Sequence, residues 1–181
     1  MSFALSRRTL IAAAAVALAP VVALAHGPSR QKVTEKIEIE APPAAVWAVV
    51  GNFGDLNWLP GVTKTESEGG TTPEQAKRKL HLSSGGVIEE TLTKFDPSAM
   101  SLSYKIDSVD VKDLPVNNYS STITVTPAEG GKSTVEWKGA FYRGFMNNDP
   151  PPELSDEAAL KAVTDVYKKG LPALKAKVEG K

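Results

Sequence analysis

Apolar and polar residues alternate with a period of two through the middle of the chain, while a helical period holds near residue 46 and again after residue 155. Val33, Ile37 and Ile39 alternate with Thr34, Lys36, Glu38 and Glu40, the pattern of a half-buried strand. Ala41-Pro42-Pro43 stops it, and proline suits the first turn of the helix that follows, where Val46, Val49, Val50 and Phe53 share a face. Gly51, Gly54 and Pro60-Gly61 then break the chain and leave Leu56-Asn57-Trp58-Leu59 as a turn or a second small helix.

From Val62 the period is two. Arg78, Leu80 and Leu82 fall on one side of a strand, with Lys77, Lys79 and His81 on the other. Ser83-Ser84-Gly85-Gly86 is a hairpin signal, and Ile88, Glu90 and Leu92 continue on the next strand. Asp96-Pro97-Ser98 turns the chain again. Leu102, Tyr104 and Ile106 alternate next, then Tyr119, Ser121, Ile123 and Val125, and finally Val135, Trp137, Gly139 and Phe141.

The tail changes character. Asn147-Asn148-Asp149 and Pro150-Pro151-Pro152 make a stiff polar loop that no strand crosses. Ser155 is placed as an N-cap, with Asp156 and Glu157 in the first turn where the helix dipole favours them. Leu160, Val163, Tyr167, Leu171, Leu174 and Val178 recur at spacings of three and four, one apolar stripe on a helix of about six turns. Pro172 removes one of its hydrogen bonds and is predicted to bend it. A long helix with a single stripe needs one broad surface to lie on, and the meander supplies it. The class is therefore α+β.

Composition narrows the function. The 181 residues carry 21 basic and 21 acidic side chains and no cysteine. The length supports one domain with a proper core. Without cysteine there is no disulfide framework, thiolate zinc site or cysteine nucleophile, and a zero balance argues against a basic nucleic-acid surface. Of the two histidines, His81 falls on the outward side of its strand, and His26 is a firm copper site only with further ligands. No metal is assigned.

The N-terminus reads as an export signal. Arg7-Arg8, the apolar run 11–19, Pro20 and the small-x-small site Ala23-Leu24-Ala25 are its parts, by the general or the twin-arginine route. The alternative is an uncleaved anchor, but the uncharged stretch falls short of the roughly 20 residues that a spanning helix needs. The expected product is a periplasmic domain of residues 26–181 beginning at His26. Removing residues 1–25 takes two arginines and no acid, so 19 basic face 21 acidic residues, a net charge of −2. That is a mild potential, suited neither to DNA nor to anionic lipid.

The order strand, small helices, antiparallel meander, long helix resembles the helix-grip fold of the START/Bet v 1-like (SRPBCC) superfamily. Ala41-Pro42-Pro43-Ala44-Ala45-Val46-Trp47, Gly51-Asn52-Phe53-Gly54, Trp58-Leu59-Pro60-Gly61-Val62, Gly85-Gly86-Val87-Ile88-Glu89-Glu90 and Leu114-Pro115-Val116-Asn117-Asn118-Tyr119 are similar to signatures of its polyketide cyclase/dehydrase branch. The resemblance implies a sheet of about seven strands wrapped around the C-terminal helix, two small helices after the first strand, and a space between sheet and helix. A narrower resemblance rests on His26-Gly27-Pro28, on Trp137-Lys138-Gly139-Ala140-Phe141-Tyr142-Arg143-Gly144 and on Asn147-Asn148-Asp149-Pro150-Pro151-Pro152-Glu153-Leu154. These segments resemble the MxaD group of small periplasmic proteins from bacterial methanol-oxidation gene clusters. That resemblance implies a non-catalytic accessory protein, without a cofactor of its own, that assists methanol dehydrogenase in passing electrons to a cytochrome c.

Candidate residues carry two readings each. Arg78 and Glu90 share an inward face, where a lone charge is expensive; they are either a clamp for a ligand carbonyl or carboxylate, or a buried ion pair fixing the sheet. Trp58, Tyr104, Tyr119, Trp137 and Phe141 are plain core or the lining of a cavity for a hydrophobic ligand. Tyr142, Arg143, Phe145, Asn147, Asn148, Asp149, Pro150, Pro151 and Pro152 form a preformed face for a protein partner, or a spacer that aims the long helix. No Gly-x-Ser-x-Gly elbow, Gly-x-Gly-x-x-Gly loop or His-Glu-x-x-His occurs, so no residue is assigned a catalytic role. Three classes remain open: the accessory protein, a periplasmic carrier of a small apolar molecule, and a cyclase-type enzyme using Arg78, Glu90 and a tyrosine.

Overall fold

The computed structural model describes residues 27–180; the expected export segment and the His26 terminus lie outside the described residues. The strands are β1 (Gln31–Ile39), β2 (Val62–Glu68), β3 (Lys77–Leu82), β4 (Val87–Asp96), β5 (Ser101–Ser108), β6 (Val116–Pro127) and β7 (Ser133–Arg143). They form one antiparallel sheet in the order β1-β7-β6-β5-β4-β3-β2. Helix α1 (Pro43–Val50) follows β1, and helix α2 (Asp156–Glu179) ends the described chain. The inward faces follow the period-two pattern: Leu80, Leu102, Tyr104, Tyr119, Ile123, Val135, Trp137 and Phe141 are all buried.

Helix α2 begins where Ser155 accepts a hydrogen bond from the Ala158 amide at 3.2 Å, a cap worth about 1 kcal/mol. It ends at Gly180, whose φ of 70° suits a residue without a side chain. Val163, Tyr167, Leu171 and Leu174 are buried along the predicted stripe, while Leu160 and Val178 at its ends are half-buried. Pro172 lies inside one unbroken helix. The helix packs chiefly across β1 and β7, at one side of the sheet. Gly170 makes the approach close: a Cβ there would stand 2.8 Å from the Trp137 ring.

Two local features differ from expectation, the first from the two small helices that the resemblance implies and the second from strict alternation. Residues 56–59 form a single turn, closed by Leu59 N–H to the Leu56 carbonyl at 2.9 Å, so one short helix rather than two follows β1. The chain there is hemmed by glycines and by Pro60, which leave no run long enough to propagate a helix. In β4 the register shifts between Glu89 and Glu90 and again between Leu92 and Lys94. Glu90, Thr91 and Leu92 are all buried, although Thr91 keeps the opposite face from its two neighbours, where its hydroxyl meets Asp107 on β5.

Candidate functional site

Because α2 lies toward β1 and β7, the space over β3, β4 and β5 is not filled by the helix. A cavity of about 340 Å³ opens there, with Leu80, Leu82, Ile88 and Ile106 on its walls and Glu90, Tyr104, Tyr119 and Trp137 among its lining. Its rim is the Leu59-Pro60-Gly61 turn, the β3–β4 hairpin and the segment Lys112-Asp113-Leu114, with Val166 from α2. Hairpin and segment are tied where Ser84 Oγ donates to Asp113 Oδ1 at 2.7 Å. Gly86 permits that contact, since a Cβ on it would lie 1.9 Å from Asp113 Oδ2.

Arg78 and Glu90 stand directly opposite each other across β3 and β4. Arg78 Nε donates to Glu90 Oε2 at 2.5 Å, with both side chains buried. A second guanidinium nitrogen, Nη1, donates to the Phe53 carbonyl at 3.1 Å. The guanidinium carbon lies 4.2 Å from the centre of the Phe53 ring and 4.9 Å from that of Tyr104, so two aromatic faces also stabilise the charge. Arg78 Nη2 has no partner among the described residues. Burial raises the Glu90 pKa, and the attraction of Arg78 opposes that rise. The pair thus fixes the sheet, while Glu90 alone of the two also lines the cavity.

Behind the cavity lies a buried set of hydroxyls. Tyr119 Oη and Tyr167 Oη are 2.6 Å apart, Tyr167 Oη and Ser121 Oγ 3.1 Å, and Ser121 Oγ donates to the Lys138 carbonyl at 2.7 Å. Trp137 Nε1 donates to Ser121 Oγ at 2.8 Å and to Tyr104 Oη at 3.2 Å. Burial pushes Tyr104 up to about 12 and raises Tyr119 and Tyr167 too, so all three phenols are neutral at physiological pH. They offer hydrogen bonds, not phenolate.

Of the seven residues expected at this site, Glu90, Tyr104, Tyr119 and Trp137 line the cavity. Arg78 sits beneath the rings. Phe141 is core, stacked on Tyr119 at 6.0 Å, and Trp58 packs edge-on against Trp137 at 6.2 Å with its buried indole N–H unpartnered among the described residues. Ser121 and Tyr167 were read only as positions on a strand face and a helix stripe. Val166 had no sequence signal and Leu114 only its place in a family-like segment, since a flank of the helix and a loop residue are brought to the rim by the tertiary fold.

The expected partner patch divides. Asn147, Asn148, Asp149 and Pro152 are exposed, and Tyr142, Phe145, Pro150 and Pro151 are half-buried. Arg143, by contrast, is buried: its Nε donates to the Phe145 carbonyl at 2.7 Å, Nη2 to the Asn147 carbonyl at 2.8 Å, and Nη1 to Asp156 Oδ2 at 3.1 Å. It holds the loop from inside and is no part of its outer face. Arg143 is the next inward position after Phe141, and that continuation of the β7 alternation was the signal for its burial.

A larger depression, about 740 Å³, lies among Glu66, Lys77, Lys79, Glu89, Lys105 and Asp107 and reaches Arg78 and Glu90; its charges are of both signs and partly paired, as in the Lys79–Glu89 pair at 2.7 Å. His81 sits nearby, part-exposed, with Nε2 3.4 Å from Glu66 Oε1. Among the described residues no group of three or more histidines and carboxylates is placed to hold a metal. No described helix is long and apolar enough to cross a membrane.

Solved structures share the fold. XoxI from Bacillus cereus is 33% identical over 81% of this chain and 94% of its own, with a TM-score of 0.68. An uncharacterized protein from Bacillus thuringiensis is 31% identical over 82% of this chain and 98% of its own, with a TM-score of 0.66. Norcoclaurine synthase from Thalictrum flavum, solved with dopamine and hydroxybenzaldehyde, is 16% identical over 97% of this chain and 98% of its own at a TM-score of 0.64, a likeness of fold alone. None of the curated proteins matches the chain. The family model described as polyketide cyclase / dehydrase and lipid transport matches residues 30–179, and the chain belongs to that family.

Proposed function

We propose that the protein is a non-catalytic binder of a small, mainly apolar molecule held between α2 and the sheet. The observation that carries this reading is the cavity of about 340 Å³, apolar on its walls and polar only at a few convergent groups. That is the make-up of a ligand site, at the small end of the roughly 300–1,000 Å³ such sites span. Its carboxylate is paired with Arg78 and its phenols are tied into a buried hydrogen-bonded set, a fixed polar wall suited to orienting a bound molecule. Native mass spectrometry of protein taken from its own host tests the reading. A bound small molecule is expected; protein that is ligand-free there and takes up no apolar probe in titration contradicts it.

A second reading makes this protein an accessory of methanol dehydrogenase and its cytochrome c in the periplasm. It rests on the resemblance of residues 137–154 and on the export segment, and one observation supports it. Arg143 holds the carbonyls of Phe145 and Asn147, so the exposed residues Met146 to Asp149 stand on a fixed base. A preformed loop loses less entropy on docking. No redox-cofactor motif occurs in the sequence, so in this reading the protein acts through binding. Purified protein should then raise cytochrome reduction by the dehydrogenase without changing the dye-linked activity of the dehydrogenase alone; no binding and no stimulation at physiological salt removes this reading.

A further inference from the structure

The interior of the cavity offers no partner to a charged ligand. Tyr104, Tyr119, Ser121, Tyr167 and Trp137 bond to one another, with the Tyr104 hydroxyl joined to both Ser121 and Tyr119. Glu90 is paired with Arg78. Arg78 keeps one guanidinium nitrogen unpartnered among the described residues, but it lies over the Phe53 and Tyr104 rings and does not line the cavity. An anion placed inside would lose its water, meet no cation and stand beside Glu90. Any charge on a ligand therefore stays at the mouth.

Two charged side chains line that mouth, Lys112 and Asp113. Asp113 is committed to the β3–β4 hairpin: Oδ1 accepts from Ser84 Oγ at 2.7 Å, and Oδ2 lies against Gly86, where a Cβ would meet it at 1.9 Å. Lys112 differs. Its backbone is fixed, since its N–H donates to Asp110 Oδ1 at 2.9 Å, but its exposed ammonium has no ion pair or hydrogen bond among the described residues. An ammonium on a flexible four-carbon stem can follow a ligand's end, and a held carboxylate cannot.

We propose that the cavity takes small amphipathic acids, the apolar body lying against Leu80, Leu82, Ile88 and Ile106 and the carboxylate at the mouth beside Lys112. The volume of about 340 Å³ has room for roughly a dozen non-hydrogen atoms, at about 30 Å³ for each water-sized unit. That admits a single ring with a short acid side chain and is too small for a long acyl chain. This inference rests on the ligand-binding reading above and adds the charge, size and orientation of the ligand.

Titration at low ionic strength, followed by NMR of the Trp137 indole N–H, tests it with three probes of one body: 3-phenylpropanoate, 3-phenylpropanol and 3-phenylpropylamine. The acid should bind about threefold to fivefold tighter than the alcohol, the scale of an exposed ion pair, and the amine should gain nothing over the alcohol. Salt at about 0.5 M should shrink the acid's advantage by screening. Lys112→Met should bring acid and alcohol within twofold of each other, and Lys112→Glu should place the acid below the alcohol. Both changes fall at an exposed position, where substitution costs the fold little. A wild-type acid no tighter than the alcohol, or an acid advantage that persists in Lys112→Met, overturns the acid inference and leaves the binding reading standing. No shift of Trp137 with any probe overturns both.

Discussion

The Tyr167 hydroxyl on α2 lies so close over Gly139 on β7 that a Cβ there would stand 2.2 Å from it. That approach is how the helix grips the sheet. The Tyr167 ring stacks on Trp137 with centroids 4.3 Å apart, and its oxygen meets Tyr119 and Ser121. A side chain on Gly139 would push the helix away from the wall behind the cavity.

Gly139→Ala should therefore cost about 1–3 kcal/mol, the usual range for overpacking a filled core. Denaturant unfolding measures it. Combining the change with Tyr167→Phe should cost less than the sum, because the phenol oxygen that clashes is gone.

Alkaline pH should weaken the fold through the tyrosines. Tyr104, Tyr119 and Tyr167 are all raised above their ordinary value of 10.0. The unfolded chain therefore loses these protons first, so the stabilisation is complete below pH 10 and falls as pH rises beyond it. Each phenol contributes a slope of about 1.4 kcal/mol per pH unit while it is protonated only in the folded state. Stability measured between pH 9 and 11 should fall less steeply in Tyr119→Phe than in the wild type; equal slopes contradict the assignment.

Removing one partner of the Arg78–Glu90 pair leaves the other charge buried. Arg78→Met and Glu90→Gln should each cost roughly 3–5 kcal/mol, and the double variant less than the sum. Thermal unfolding of the four proteins decides this, and small additive effects would count against a buried pair.

How much of this was legible differs by element. The strand faces and the α2 stripe followed from periodicity, and the opposition of Arg78 to Glu90 followed from two inward positions either side of one hairpin. The bulges of β4 were not legible, because nothing in Glu89-Glu90-Thr91-Leu92 marks a change of phase; burial of Thr91 is settled by its contact with Asp107 on β5. Tyr167 read as one more apolar position, since its role depends on where the helix lands against Ser121, 46 positions away in sequence. The burial of Arg143 continues the β7 alternation, but the sequence reading ends that face at Phe141 and places Arg143 in the exposed loop because of the polar composition beside it.

Arg143 gives a test of the loop. Arg143→Met removes the donors to Phe145, Asn147 and Asp156, so amide exchange over residues 145–149 should accelerate at least tenfold while the β6 amides hold their protection. Replacing Pro150-Pro151-Pro152 with glycines should weaken any stimulation of cytochrome reduction while leaving the fold intact, with a lowered melting temperature from the greater freedom of the unfolded loop.

Entry of a ligand into the cavity is measured most directly by intermolecular NOEs between a small apolar probe, 4-ethylphenol, and methyl-labelled protein. Contacts from the ethyl group to the methyls of Leu80, Leu82, Ile88 and Ile106, together with a shifted Trp137 indole N–H, are predicted. NOEs confined to exposed side chains such as Val87 and Met146, or none at saturating probe, would contradict it.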